Sequence, residues 1–190
     1  MVLEFAVLGL LHESPMHGYE LRTRLKATLG TFRAFSYGSL YPTLRRLREA
    51  GWIEEDEAPE PATAAVPALA GRRGKVVYRL TAEGKERLAA LLAEVGPSAY
   101  DDDGFGVHFA FFSQTAAEVR MRILEGRRRR VEERRDGLRA ALARTRQRLD
   151  RYTLELQEHG LDAVEREVRW LSELIDTERR EQSGRPATDH

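Results

Sequence analysis

Between Ser39 and Gly51 the chain reads SLYPTLRRLREAG, and this stretch leaves little freedom of fold. Leu40, Leu44 and Leu47 stand at i, i+4 and i+7, which makes one apolar stripe on a helix. Pro42 sharpens the reading. Lacking an N–H, it is tolerated only in a first turn, so the regular helix starts at about Ser39. Ser36 and Ser39 are candidate N-caps, and Gly51 closes the helix. So short a helix needs a core for its stripe.

That core lies on both sides in sequence. Val2 to Leu11 is mostly apolar and reads as a buried first helix, stopped by Ser14-Pro15. A second helix starts near His17-Gly18, carries Tyr19, Leu21, Leu25 and Leu29 at helical spacing, and ends at Gly30 in the manner of a glycine C-cap. Downstream, Trp52 to Glu55 and Lys75 to Leu80 read as short strands. The Pro-, Ala- and Gly-rich stretch between them reads as a long, mobile hairpin tip. Thr81 caps a further helix that runs through Leu92. Three helices, a hairpin and a helix in residues 1–95 make the plan of a winged helix-turn-helix domain.

Gly96-Pro97 marks a boundary, and residues 100–181 read as a second, helical domain with a polar tail at 182–190. Phe105 to Phe112 is strongly apolar and aromatic. From Ala116, Met121, Leu124, Val131, Leu138, Leu142, Leu149, Tyr152 and Leu156 fall on one heptad stripe, the signature of a coiled coil. Gly160 interrupts, and Leu161, Val164, Val168, Leu171 and Ile175 continue on a last helix. Two helices cannot bury this surface unless they pack back on the first domain or on another subunit, and a homodimer is the natural solution, with Leu124, Val131, Leu138, Leu142, Leu149, Val168, Leu171 and Ile175 at its interface. Trp170 beside that stripe has two readings, core packing or the wall of a pocket for a flat aromatic ligand. The fold class is therefore mainly α with a small β-hairpin, a winged helix-turn-helix domain followed by long dimerisation helices.

Composition excludes more than it proposes. With 31 Lys+Arg against 31 Asp+Glu the net charge is zero, so a nucleic-acid partner must be held by local patches. The absence of cysteine removes disulfides, thiolate metal sites and cysteine nucleophiles. No apolar run reaches membrane-spanning length and the N-terminus lacks the charge pattern of a signal peptide, so a cytoplasmic location with no membrane partner is expected. The five histidines are scattered and no catalytic motif occurs, so no catalytic residue, metal or cofactor is assigned. Asp101, Asp102 and Asp103 read as a solvated loop.

Two basic features remain, besides the helix. Arg72, Arg73 and Lys75 sit at the hairpin tip, where they could reach a minor groove or flanking backbone. Glu54, Glu55, Asp56, Glu57 and Glu60 on the facing limb offset them. The run Arg127 to Arg130 reads better as a salt-bridged helix face, with Arg128 and Arg129 reaching Glu132 and Glu133 at i,i+4. The helix itself turns Tyr37, Ser39, Tyr41, Thr43, Arg45 and Arg46 outward. Those hydroxyls suit phosphates, serine and threonine also suit base edges, and arginine suits a guanine or a phosphate.

HGYEL at His17–Leu21, GSLYPTLRRLREAGWI at Gly38–Ile53 and YRLTAEGKERL at Tyr78–Leu88 resemble the PadR family of bacterial transcription regulators. The aromatic segment and long helices resemble its longer subgroup, which dimerises through a helical C-terminal domain. The resemblance implies a homodimeric repressor on an inverted-repeat operator in double-stranded DNA, in some members released by a small aromatic ligand. It also implies that Tyr19, Tyr41 and the helix from Ser39 to Arg46 contact DNA, while Tyr78 is mainly structural. The stretch between Ile53 and Val76 is longer and richer in Ala and Pro than a compact wing. The alternative is a protein-interaction adaptor whose winged domain does not bind DNA specifically. An enzyme is the third reading.

Overall fold

The computed structural model describes residues 2–30, 37–57 and 76–183. Helix α1 (Val2–Glu13) is buried from Phe5 to Leu11 without a gap, so it is sheathed on every side rather than on one stripe. Helix α2 (Gly18–Leu29) turns Leu21, Leu25 and Leu29 to that core. Helix α3 (Leu40–Glu49) follows a 3-10 turn at Tyr37–Ser39 and buries Leu40, Leu44 and Leu47, as their spacing requires.

Glycine and serine at the helix ends behave differently from the sequence expectation in two places. Gly51 adopts φ +73°, the left-handed conformation that a glycine accepts without Cβ strain, and its N–H reaches the Arg48 carbonyl at 2.9 Å. Gly30 stays right-handed at φ −59°, so α2 ends without the left-handed cap. Ser39 is also right-handed and its side chain makes no capping hydrogen bond, because the 3-10 turn already leads into the helix. Ser36 lies outside the described residues.

The sheet has three strands where the sequence suggests two. Strands β1 (Met16–His17), β2 (Ile53–Glu57) and β3 (Val76–Leu80) run antiparallel in the order β1-β3-β2. Met16 faces Tyr78, and Ile53 faces Leu80. A strand of two residues shows no alternation, which is why periodicity misses it. Helix α4 (Ala82–Leu92) starts as expected: the Gly84 N–H donates to Thr81 Oγ1 at 3.0 Å. The same hydroxyl donates to the Gly51 carbonyl at 2.6 Å, tying the end of α3 to the base of the hairpin. The hairpin tip, residues 58–75, lies outside the described residues.

The chain forms two compact units, Met1–Glu94 with Gly106–Gln114, and Val95–Phe105 with Thr115–His190. Residues 106–114, read above as part of the second domain, therefore complete the first. Val107 and Phe111 are buried in its core, with the Phe111 ring 5.4 Å from Phe5 and His108 edge-on to Phe5 at 4.8 Å. Gly9 makes the room, since a Cβ there would overlap the Phe111 ring.

The second unit contains α5 (Pro97–Tyr100), the first residue of α6 (Phe105–Ala110), α7 (Ala117–Thr145) and α8 (Arg151–Ser183). The heptad stripe predicts one helix from Ala116 to a break at Gly160. Instead the break falls at Arg146–Asp150, and Gly160 sits inside α8. Asp150 explains the site of the break, for its carboxylate accepts from the Tyr152 and Thr153 N–H groups at 2.9 and 3.1 Å and so starts α8. Helices α7 and α8 fold back on each other, with Arg120 on Glu178 and Arg139 on Glu165, and Arg146 of the 3-10 turn between them pairs with Glu158. Helix α8 reaches Ser183, past the expected start of the tail. Residues 184–190 lie outside the described residues.

The arginine run divides sharply. Arg127 is buried, donates to Glu167 at 2.7 Å and to Asp102 at 2.6 Å, and lies over the Phe105 ring. Arg128 stands 4.0 Å from Glu132, while among the described residues Arg129 forms no pair with Glu133. Asp101 accepts from the Asp103 and Gly104 N–H groups at 3.1 and 2.6 Å, so the aspartate loop is built into the unit rather than merely solvated.

Two outcomes follow for stability. Phe111→Ala leaves a cavity beside Gly9 and should cost roughly 3–5 kcal/mol in urea unfolding. The Arg127 guanidinium holds the Asp102 carboxyl below the usual carboxylate range, outweighing partial burial, and Arg134 and Arg130 act in the same direction. A depressed carboxylate contributes stability above its unfolded pKa and loses it as pH falls through its folded one. Asp102 is 63% exposed, so the contribution is screened. Asp102→Asn should lower Tm at neutral pH and lower it less at pH 3 or so, as checked by thermal melts.

Candidate nucleic-acid interface

Burial of Leu40, Leu44 and Leu47 decides which side of α3 meets solvent. Tyr41, Arg45 and Arg46 point outward, as expected, and Tyr41 is 55% exposed. Ser39 is half-buried. Thr43 is a correction: it is 3% exposed and belongs to the core-facing side, because it lies beside Leu47 at the edge of the leucine stripe on the helical wheel. Its Oγ1 instead accepts a hydrogen bond from Arg46 Nη2 at 3.2 Å. Tyr37 lies in the 3-10 turn, with its side chain outside the described residues. Arg72, Arg73 and Lys75 also lie outside them.

A second exposed row stands on α2. Tyr19 is 76% exposed, and Tyr19, Arg22, Thr23 and Lys26 line a shallow cleft of about 260 Å³ on one helix face. Arg22, Thr23 and Lys26 escape the sequence reading, although their i+3, i+4 and i+7 spacing from Tyr19 was available to find them. The two rows meet near Gly18. A Cβ there would stand 3.4 Å from the Tyr41 ring and 3.6 Å from the Tyr78 ring, so Tyr41 lies against the first turn of α2.

Charge on the hairpin base is largely consumed internally. Arg79 pairs with Glu54 at 2.8 Å and Asp56 at 3.1 Å, and Arg48 pairs with Glu55 at 2.8 Å. Glu54, Glu55 and Asp56 of the acidic limb are thereby each paired with an arginine of α3 or β3. Arg45 and Lys26 have no ion pair among the described residues, which leaves their charge available to an outside anion.

In the second unit Leu124, Val131, Val168, Leu171 and Ile175 are buried within the single chain, whereas Leu138, Leu142 and Leu149 are half-buried. Tyr152 and Leu156 are exposed. Trp170 is half-buried and stands edge-on to Phe105 at 6.2 Å. Among the described residues no cluster of His, Asp and Glu could hold a metal ion, and no helix is long and apolar enough to cross a membrane.

Residues 7–90 match the family described as the transcriptional regulator PadR-like family. The chain is similar to the negative transcriptional regulator PadR of Bacillus subtilis, 31% identical over 87 residues that cover 46% of this chain and 43% of that one. The chain spans less than half the length of the curated relatives it matches. Bacillus subtilis PadR in complex with operator DNA superposes at 20% identity and TM-score 0.44, over 94% of this chain and 99% of that one. The same protein in complex with p-coumaric acid superposes at 19% identity and TM-score 0.43, with the same coverage.

Burial first, then Glu55 and Tyr41, push the Tyr78 phenol above its ordinary range, with Arg48 opposing. The neutral phenol is thus favoured by folding, a stabilisation present below the ordinary tyrosine pKa and lost as pH rises through the raised one. In an alkaline absorbance titration Tyr78 should ionise above the ordinary tyrosine range, and Tyr78→Phe should remove that late component.

Proposed function

We propose that this chain, whose residues 7–90 match the PadR-like transcriptional regulator family, acts as a homodimeric repressor that binds an inverted-repeat operator. The observation that carries the reading is the outward face of α3, Tyr41, Arg45 and Arg46 held away from the core by Leu40, Leu44 and Leu47. A helix of this form enters a major groove with its front and keeps its back in the core. Arg46 meets base edges in this reading and Arg45 a phosphate. Tyr19, Arg22 and Lys26 on α2 follow the sugar-phosphate backbone alongside, with Ser39 and Tyr37 at the entry to α3. Arg72, Arg73 and Lys75 are proposed for the flanking backbone on charge alone. The relative named as a negative regulator supports repression as the outcome.

Two half-sites need two readers. Leu138, Leu142 and Leu149, half-buried in the single chain, together with exposed Tyr152 and Leu156, supply the apolar surface for a partner copy. Leu124, Val131, Val168, Leu171 and Ile175 support that interface from beneath. A small aromatic effector is proposed beside Trp170 and Phe105, and contact with the chromosome makes the protein cytoplasmic. The adaptor reading draws on the acidic strand β2, and the pairing of that strand with Arg79 and Arg48 weakens it.

Fluorescence anisotropy against DNA from just upstream of the protein's own gene, with a scrambled duplex as control, tests the proposal. Two protomers per duplex and a preference for the native sequence are expected. Arg45→Ala should lower the salt slope of binding by about one unit and weaken both duplexes alike. Equal, weak binding of the wild type to both duplexes, and to any sequence selected from a random pool, would overturn the reading.

A further inference from the structure

The polarity of Thr43 suggests an outward side chain, and the structure turns it inward while its hydroxyl stays bonded to Arg46. We propose that Thr43 is a positioning residue: it fixes the Arg46 guanidinium and so sets the sequence selectivity of α3 without touching a base. This rests on the reading of α3 as the element that meets DNA.

The geometry makes Thr43 a fixed point. A β-branched side chain in a helix has few rotamers, and this one is buried among the leucines of the same helix face. Arg46 is exposed and long, so in the absence of a tether it would sample many rotamers and lose that freedom on binding. A hydrogen bond at 3.2 Å to an immobile oxygen removes much of that freedom beforehand.

The chemistry leaves the guanidinium able to read. Nη2 carries two hydrogens, and one given to Thr43 leaves the other, with those of Nη1 and Nε, for the O6 and N7 of a guanine. The tether is also neutral. Arg48 shows the contrast, since its partner is the Glu55 carboxylate and its charge is spent on the hairpin. Arg45 shows the other contrast, having no hydrogen bond or ion pair among the described residues. The three arginines of α3 are thus differently prepared, and among the described residues only Arg46 is held without a carboxylate partner.

The full chain is tested as wild type, Thr43→Val, Thr43→Ser, Arg46→Ala and the Thr43→Val/Arg46→Ala double variant. The probes are the duplex that the wild type selects from a random pool and a scrambled control. Thr43→Val should weaken the selected duplex by about three- to tenfold and leave the control within about twofold, while Thr43→Ser keeps wild-type affinity. In the Arg46→Ala background the valine should change nothing further. In the DNA-free protein, nitrogen-15 relaxation of the Arg46 guanidinium should show greater mobility in Thr43→Val than in wild type or Thr43→Ser. Equal losses on both duplexes, an undiminished loss in the Arg46→Ala background, or unchanged Arg46 mobility would each overturn the role. If Thr43→Val does not fold, Thr43→Ala removes the same acceptor and is read in the same way. A pool that yields no preferred sequence overturns the DNA reading itself, and this role with it; a preferred sequence with any of the three failures overturns this role alone.

Discussion

The first unit depends on the burial of α1. A helix sheathed from Phe5 to Leu11 has no face to give to water, so every neighbouring element must present an apolar side to it. Leu21, Leu25 and Leu29 of α2, Leu40, Leu44 and Leu47 of α3, Leu88 and Leu91 of α4, Tyr78 of β3 and the returning Val107 and Phe111 all meet in that one core. The orientation of α3 follows from it. Tyr41, Arg45 and Arg46 reach solvent because the leucines beside them cannot.

The polar chemistry of the proposed DNA face is organised by what is consumed and what is left. Arg79 and Arg48 pair with Glu54, Asp56 and Glu55 of β2, Arg24 is held by Glu13 and Glu20, and Arg87 bridges to Glu4. A chain with no net charge thereby keeps Lys26 on α2 and Arg45 on α3 without an ion pair among the described residues. The second unit uses the same economy of pairing in its interior, where Arg127 joins Glu167 on α8 to Asp102 on the aspartate loop. A buried guanidinium needs such company, because its desolvation is costly when it stands alone.

Much of this was legible beforehand. Regular spacing revealed the inward stripes of α2 and α3, Thr81 announced the start of α4, and Gly51 announced the end of α3. What escaped had a common cause. Strand β1 is too short to alternate, Asp150 was hidden inside an unbroken heptad count, and Thr43 looked outward when judged by its polarity. Arg127 looked like its three neighbours in an arginine run, and only the partners Asp102 and Glu167, distant in sequence, set it apart.

By itself the amino-acid sequence determined the elements and the faces of the winged domain, because a 3.6-residue period and local capping act within a few residues. It also determined that the second half would be helical. Tertiary structure alone decided that residues 106–114 complete the first core and that Arg127 joins Asp102 to Glu167. Each of those depends on which side chains meet once the elements pack, and the spacing of residues along the chain carries no record of that meeting.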